Sequence, residues 1–296
     1  MVTAHQIRAW WLAARLPSLP ASIGPVLVGS ALAIRAGAFS LPVFLATLIA
    51  AVLLQIGANY TNDVFDYLKG ADRHRLGPLR ATQSGLLTVR QMMAGSAIVF
   101  ALAALIGVYL VSVGGWPILA IGVLAIGCAI AYTAGPFPLA YHGLGDLFAF
   151  LFFGVVAVMG TFYIQLGTLT WLAFAASLPS ACFATCIIIV NNLRDIDTDR
   201  LANKRTLAVR IGDRLTRVEY TALMTGAYLV PLILLITEAP NGWWLCLPLI
   251  SAPVAVALTR DLWRTPRSPA LNPILGRTAR LGLFFSILFS LGLVLR

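Results

Sequence analysis

The chain has 296 residues, of which 59% are hydrophobic and 11% charged, and its mean hydropathy is +0.88. Soluble domains carry about 25% charged residues, so this composition excludes an ordinary soluble protein and implies a polytopic one that spans a lipid bilayer. A formal net charge of +10 would suggest nucleic acid in a soluble chain; here it marks cytoplasmic loops, and no nucleic-acid partner is expected.

In chain order, the opening stretch MVTAHQIRAWWLAARLPSLP mixes Arg8 and Arg15 with Trp10 and Trp11. It reads as an interfacial helix, not a cleaved leader, that runs into the first span. Nine apolar segments follow, at about 18–35, 41–60, 92–112, 116–133, 145–164, 170–191, 219–237, 241–259 and 276–295, several close to the roughly 20 residues that cross a bilayer. They are continuously apolar, without the alternation of a β-barrel strand, so the predicted class is all-α with nine transmembrane helices in a single domain over 1–296. The connections near 36–40, 113–115, 165–169 and 238–241 are short and nearly uncharged, whereas 61–91, 192–218 and 260–275 are longer and basic. If alternate connections face the cytoplasm, starting with the N-terminus, every Lys and Arg except Arg35 and Arg296 lies inside. That predicts an N-in, C-out orientation in the plasma membrane. Cys128, Cys182, Cys186 and Cys246 all lie within apolar segments, so neither a disulfide framework nor a zinc site is expected.

Every acidic residue except Glu238 falls on the same side as the basic loops. The positive-inside rule does not require this, because acids contribute little to it. At the end of the second segment, Asn59, Asn62, Asp63 and Asp66 are spaced i, i+3, i+4, i+7, which is one helix face. At the end of the sixth, Asn192, Asp195 and Asp199 are spaced i, i+3, i+7, and Asp197 points elsewhere if the helix continues. Both segments run inward, so both clusters sit at helix C-termini, where the helix dipole disfavours carboxylates. A solvated, salt-bridged loop would account for either cluster alone; recurrence at two equivalent helix ends favours a bound cation. Oxygen ligands without His or Cys point to Mg²⁺, and Mg²⁺ beside Arg15, Lys69, Arg80, Arg194, Lys204 and Arg205 points to a substrate phosphate. The four-segment separation of the clusters suggests two parallel four-helix repeats plus a ninth helix.

Asn59-x-x-x-Asp63-x-x-Asp66 and Asp195-x-x-x-Asp199 resemble the two aspartate-rich motifs of the UbiA superfamily of intramembrane prenyltransferases. Several stretches resemble its naphthoate-prenylating, menaquinone-pathway branch more closely: LPASIGPVLVGSALA (19–33), RLGPLRATQSGLLT (75–88), YTAGPFPLAYHGLGDLFAFLFFGVVAVMGTFYIQ (132–165) and NNLRDIDTDRLANKRTLAVRIG (191–212). Arg15 matches that branch, while Leu16 and Pro17 depart from it. The resemblance implies transfer of a polyprenyl group from an allylic polyprenyl diphosphate to 1,4-dihydroxy-2-naphthoate, with Mg²⁺ on the diphosphate. Phytyl or other prenyl transfer to another aromatic acceptor is the alternative within the superfamily. A transporter, whose ionisable groups would lie near the midplane, fits the one-sided acids less well.

The resemblance also implies roles. Asp63, Asp66, Asp195 and Asp199 would be catalytic, holding metal with Asn59 and Asn192. Asp72 is a possible extra ligand. Arg15, Lys69, Arg80, Arg194 and Lys204 would bind the diphosphate. Among the aromatic residues near the cytoplasmic ends (Tyr60, Tyr67, Tyr132, Phe137 and Tyr141), Tyr60 and Tyr132 would shield a carbocation or meet the acceptor. His142 and Asp146 would position or deprotonate the acceptor. Asp146 also suits a helix N-terminus as a capping carboxylate, and a loop histidine is commonly structural.

Overall fold

The structure is a computed structural model that describes residues 4–73, 75–237 and 242–295. Glu238, the connection 238–241 and Arg296, all named above, fall outside the described residues.

The described residues form helices and turns and no strand. The first two helices, α1 (Ala4–Ala14) and α2 (Pro20–Arg35), are joined by a one-turn helix at Leu16–Ser18, and the pair bends by 52°. The bend turns on Arg15, whose φ of 52° is left-handed, with prolines just inside both following helices. α3 (Leu41–Leu68) outlasts its apolar segment by two turns and carries the first cluster in regular helix. α4 (Val89–Gly114) starts at a capping box made by Thr88 and Gln91, and α5 (Trp116–Ala131) follows after Gly115.

The fifth segment is α6 (Gly145–Phe150), a π-helical turn (Leu151–Val156) and α7 (Ala157–Leu166). At that turn Gly154 lies so close to the next helix that a Cβ would sit 2.2 Å from Ala181. α8 (Trp171–Arg194) ends at Asp195 (φ −98°, ψ 8°), and a separate helix α9 (Ile196–Leu201) begins there. The single helix face expected for Asn192, Asp195 and Asp199 is therefore broken. α10 (Leu207–Thr237) is kinked at Gly212 (φ 80°). α11 (Ala252–Arg264) continues a 3-10 segment at Gly242–Ser251, and α12 (Asn272–Leu295) closes the chain.

Every expected segment falls on a helix, and length and composition suffice for seven membrane crossings among the described residues, or eight if the bent α1–α2 pair counts as one. α5, at 16 residues, is shorter than the roughly 20 that span a bilayer. The chain is a multi-pass membrane protein. α8 is its central post: 83% of its apolar window is buried, against 17% for α4, which faces lipid. α10 and α12 pack on α8, and α12 also packs on α2. One large core, including Val190, Leu193, Tyr220, Phe285 and Phe289, joins these helices, while the α3–α4–α5 side has only small clusters. What occupies that side instead is a cavity.

Candidate active site

The cavity has a volume of about 1060 Å³ and is bounded by α2–α8. This is at the top of the roughly 300–1,000 Å³ range of ligand sites. On α3 its wall follows Thr47, Ala50, Ala51, Leu54, Gln55, Ala58, Asn59, Asn62 and Asp66, one face at helical spacing that runs roughly 28 Å at 1.5 Å per residue. Small residues facing it, among them Ala103 and Gly107 on α4 and Gly122 and Ala125 on α5, keep it open. Its polar end holds Arg15, Asn59, Asn62, Asp66, Arg80, Asn191, Asn192 and Lys204. There it meets a small polar cavity walled by Asp66, Asp72, Arg75, Arg80, Asn191, Asp195, Thr198, Asp199 and Lys204. The two clusters, far apart in sequence, thus converge on one space.

The loop between α3 and α4 makes this possible. It leaves α3 at Gly70 (φ 74°) and folds back over the ends of α3 and α8. Gly77 lies on the Arg194 guanidinium, where a Cβ would stand 2.6 Å from Nη2, and the Asn272 amide donates to the Leu76 carbonyl at 3.3 Å. Arg75 donates to the Pro78 carbonyl at 2.7 Å and to Asp72 at 2.8 Å. The loop then delivers Arg80, which is buried and donates Nη2 to Asp66 at 2.8 Å, with Nε 3.5 Å from Asp72. On the far side, Lys204 Nζ stands 3.6 Å from Asp199 and 4.0 Å from Asp66. Tyr141 links the halves: its hydroxyl donates to Asp66 at 3.0 Å, and its ring lies 4.7 Å from Lys69 Nζ and 5.5 Å from Lys204 Nζ.

The charges are strongly coupled. Burial pushes Asp72 up to about 6, against the opposing pull of Arg75. Burial likewise raises Asp199 to about 6 despite Lys204, with Asp195 and Asp66 adding repulsion. For Lys204 burial opposes the charge, but Asp199, Asp66, Asp195 and Asp72 outweigh it and hold the ammonium ion. Burial and then Asp66 raise the Tyr141 phenol, keeping it protonated as a donor.

The expected site residues divide. Asp66, Asp195 and Asp199 line the polar cavity, as does Asp72. Asp63 does not: it is 1% exposed, and both its oxygens accept backbone amides of the loop, from Ala81 at 3.1 Å and Thr82 at 3.0 Å. Asn59 donates to the Ala14 carbonyl at 2.9 Å and to Ser18 at 3.0 Å, tying α3 to the α1–α2 bend. Asn192 donates its amide to Asp146 at 3.5 Å.

Arg15 reaches the large cavity with a buried, unbonded Nη2. Lys69 donates to the Thr133 carbonyl at 2.7 Å. Arg194 bonds through all three nitrogens to Asp195, Asn191 and Asn272 at 2.5–2.7 Å, which commits four of the five N–H donors of a guanidinium to protein; Arg205 gives its backbone amide to the Tyr141 carbonyl. Tyr60 packs on Trp10 with ring centroids 5.3 Å apart. His142 stacks on Phe137 at 3.7 Å and bonds the Pro138 carbonyl. Tyr132 lines the cavity, its hydroxyl 2.8 Å from where a Cβ of residue 145 would stand. Sequence reasoning passed over Arg75 and Asn191. It also counted Asn62 on the face but left it out of the ligand set, although Asn62 lines the large cavity with Asn59 and Asp66, and Asp63 does not.

Among the described residues no three His, Cys, Asp or Glu side chains are gathered closely enough to hold a metal alone. The donor set still suits a hard cation shared with a phosphate. Asp72 Oδ2 and Asp199 Oδ2 are buried without a hydrogen bond, as are Arg80 Nη1 and Arg15 Nη2. Buried polar atoms left unbonded are costly, and free carboxylate oxygens beside free guanidinium donors fit Mg²⁺, which is held by one or two carboxylates plus substrate phosphates.

Residues 22–288 match the UbiA prenyltransferase family. The chain is 38% identical to 1,4-dihydroxy-2-naphthoate octaprenyltransferase of Escherichia coli, over 99% of this chain and 98% of that protein. It is 37% identical to the protein of the same name from Mycobacterium tuberculosis, over 83% of each. A UbiA homolog from Archaeoglobus fulgidus, solved bound to GPP and Mg²⁺, shares the fold with a TM-score of 0.67 at 15% identity, covering 97% of this chain and all of that one.

Proposed function

Because the chain belongs to the UbiA prenyltransferase family, we propose that it transfers a polyprenyl group from an allylic diphosphate to 1,4-dihydroxy-2-naphthoate in menaquinone synthesis. The relatives named for that reaction support the substrate pair. The observation that carries the reading is the joined cavity: a polar end with both carboxylate clusters, opening into a long apolar channel.

Asp66, Asp72 and Asp199, with Asp195 beside them, would hold Mg²⁺ together with the substrate's diphosphate. Bound there, the metal would neutralise phosphate charge and stabilise the leaving group. Arg80 and Arg15 place charge-assisted donors at the phosphate oxygens, and Lys204 adds a compact positive charge between Asp66 and Asp199. Tyr141 holds Asp66 in place. The allylic C–O bond breaks with its electron pair going to pyrophosphate, and the prenyl cation is met by the π faces of Tyr132, Phe148 and Phe152 in a channel that keeps out water. The acceptor ring docks beside Tyr132 and Asn192, with Asp146 immediately behind to orient that amide. Its electron-rich carbon attacks the cation, and CO₂ is released with the substitution. The polar end would face the cytoplasm, a side that the basic loops support.

The test is a product assay. Membranes carrying the protein receive 1,4-dihydroxy-2-naphthoate and a panel of allylic diphosphates, with and without Mg²⁺, and mass spectrometry reads the products. A prenylated, decarboxylated naphthoquinol formed only with Mg²⁺ is expected; prenylation of a different aromatic acceptor, or none, would overturn the assignment.

A further inference from the structure

Asp63 stands out because its environment is unlike that of a metal ligand. It lies on the wall of neither cavity among the described residues. Its two oxygens accept from two consecutive backbone amides, Ala81 and Thr82, themselves buried. Those amides begin a tight turn. The Arg80 carbonyl accepts from the Ser84 amide at 3.0 Å and its hydroxyl at 2.6 Å, and the Ala81 carbonyl accepts from the amides of Leu86 and Leu87 at 3.0 and 3.2 Å. Gly85 (φ 72°) closes it. Val64, Ala81, Leu87 and Met92 seal the turn against α3 and α4. The residue just before the two amides is Arg80, whose side chain is 6% exposed, bonds Asp66, and keeps Nη1 without a hydrogen bond.

A carboxylate holding adjacent amides fixes a turn as an N-cap fixes a helix start, through charge-assisted bonds in a buried setting. On α3, Asp63 and Asp66 point about 60° apart, at 100° per residue: one toward the loop, the other toward the cavity.

We propose that Asp63 is a positioning residue, which folds the 80–85 turn and so sets Arg80 in the site, and is not a metal ligand. The inference rests on the prenyl-transfer reading only for what Arg80 binds; the folding of the turn is read without substrate.

The first readout is amide hydrogen exchange in the metal-free protein in detergent. Asp63→Asn keeps the shape but replaces one acceptor with a donor. It is expected to speed exchange over 80–87 by about tenfold or more, whereas Asp199→Asn leaves that segment unchanged. The second is binding of inorganic pyrophosphate with Mg²⁺. Asp63→Asn and Arg80→Gln should each weaken it about tenfold, and the double variant should be no weaker than Arg80→Gln, because both act through one guanidinium. The Mg²⁺ concentration for half-maximal binding should stay within about twofold of wild type, since every carboxylate that would hold the metal is retained.

Unchanged exchange over 80–87 in Asp63→Asn overturns the proposal. So does a tenfold higher Mg²⁺ requirement with the turn still protected, or an additive double variant. If Asp63→Asn does not fold, Asp63→Glu, which keeps both acceptor oxygens, carries the same readouts. Failure of the product assay with the exchange result intact would refute the reaction and leave the turn's role standing.

Discussion

At the end of α3 the carboxylates are held by a long loop that folds back over them; at the end of α8 they are held by the helix's own arginine. Each cluster divides its acids in the same way. Asp63 fixes the loop and Asp66 faces the cavity. Asp195 fixes Arg194, while Asp199 keeps a free oxygen toward the same space. The arginines divide oppositely. Arg194 has every nitrogen bonded to protein, whereas Arg80 has a nitrogen to spare. A buried arginine beside an aspartate is therefore not by itself a phosphate ligand: its unbonded donors decide.

Removing each arginine should break this pairing in a different way. Arg194→Ala strips the partner from a buried Asp195 and from Asn191 and Asn272. A broken buried pair costs about 3–5 kcal/mol, so a large drop in unfolding stability in detergent is expected. Arg80→Ala also strips a partner from a buried carboxylate, Asp66, but Asp66 keeps the Tyr141 hydroxyl and the nearby Lys204 ammonium, so a smaller loss of stability is expected, together with a fall in turnover. Equal stability losses in the two variants would erase the distinction between clamp and ligand.

Next in size is the loss of the cavity-facing acids. Asp66→Ala and Asp199→Ala should each cut turnover by roughly 10²–10³-fold, the scale of removing one well-placed electrostatic group, with the protein still folded. Wild-type rates in either would exclude a shared metal site. Because the two acids come from different clusters, similar losses would show that both ends serve one ion and one diphosphate.

Sequence carried much of this. The helices were legible because a bilayer admits few alternatives to long apolar helices, and each expected segment lies on one. That both clusters meet was legible from their matching orientation. Which acid faces the substrate was not. Asp63 and Asp66 lie three residues apart on one regular helix, and the choice between them is made by loop amides some 20 residues on. Likewise Asn192 and Asp199 share a face only if α8 continues, and the Arg194–Asp195 pair sits where it stops. Such choices depend on backbone amides and helix ends, which residue identity does not display. Arg75 was hidden for a similar reason, since only the folded loop brings it beside Asp72.

The smallest effect is one of pH, and it separates the clusters again. In the metal-free protein Asp72 and Asp199 are raised to about 6, from an ordinary aspartate value of roughly 3.9. The folded state then holds protons that the unfolded chain has released, so metal-free stability falls as pH rises from about 4 through about 6. Metal binding needs the ionised carboxylates and displaces those protons. The stabilisation given by Mg²⁺ with pyrophosphate should therefore be small at pH 5, grow through pH 6 and level off above it. Below the raised pKa, apparent affinity should change about tenfold per pH unit for each carboxylate that must ionise. Asp72→Asn removes the titrating group of the first cluster and Asp199→Asn that of the second, so thermal-shift profiles of the two variants report which cluster's proton the metal displaces. A profile already flat between pH 5 and 7.5 in the unmodified protein would mean that both acids are ionised before the metal arrives, and that the neighbouring Arg80 and Lys204, not the cation, balance them.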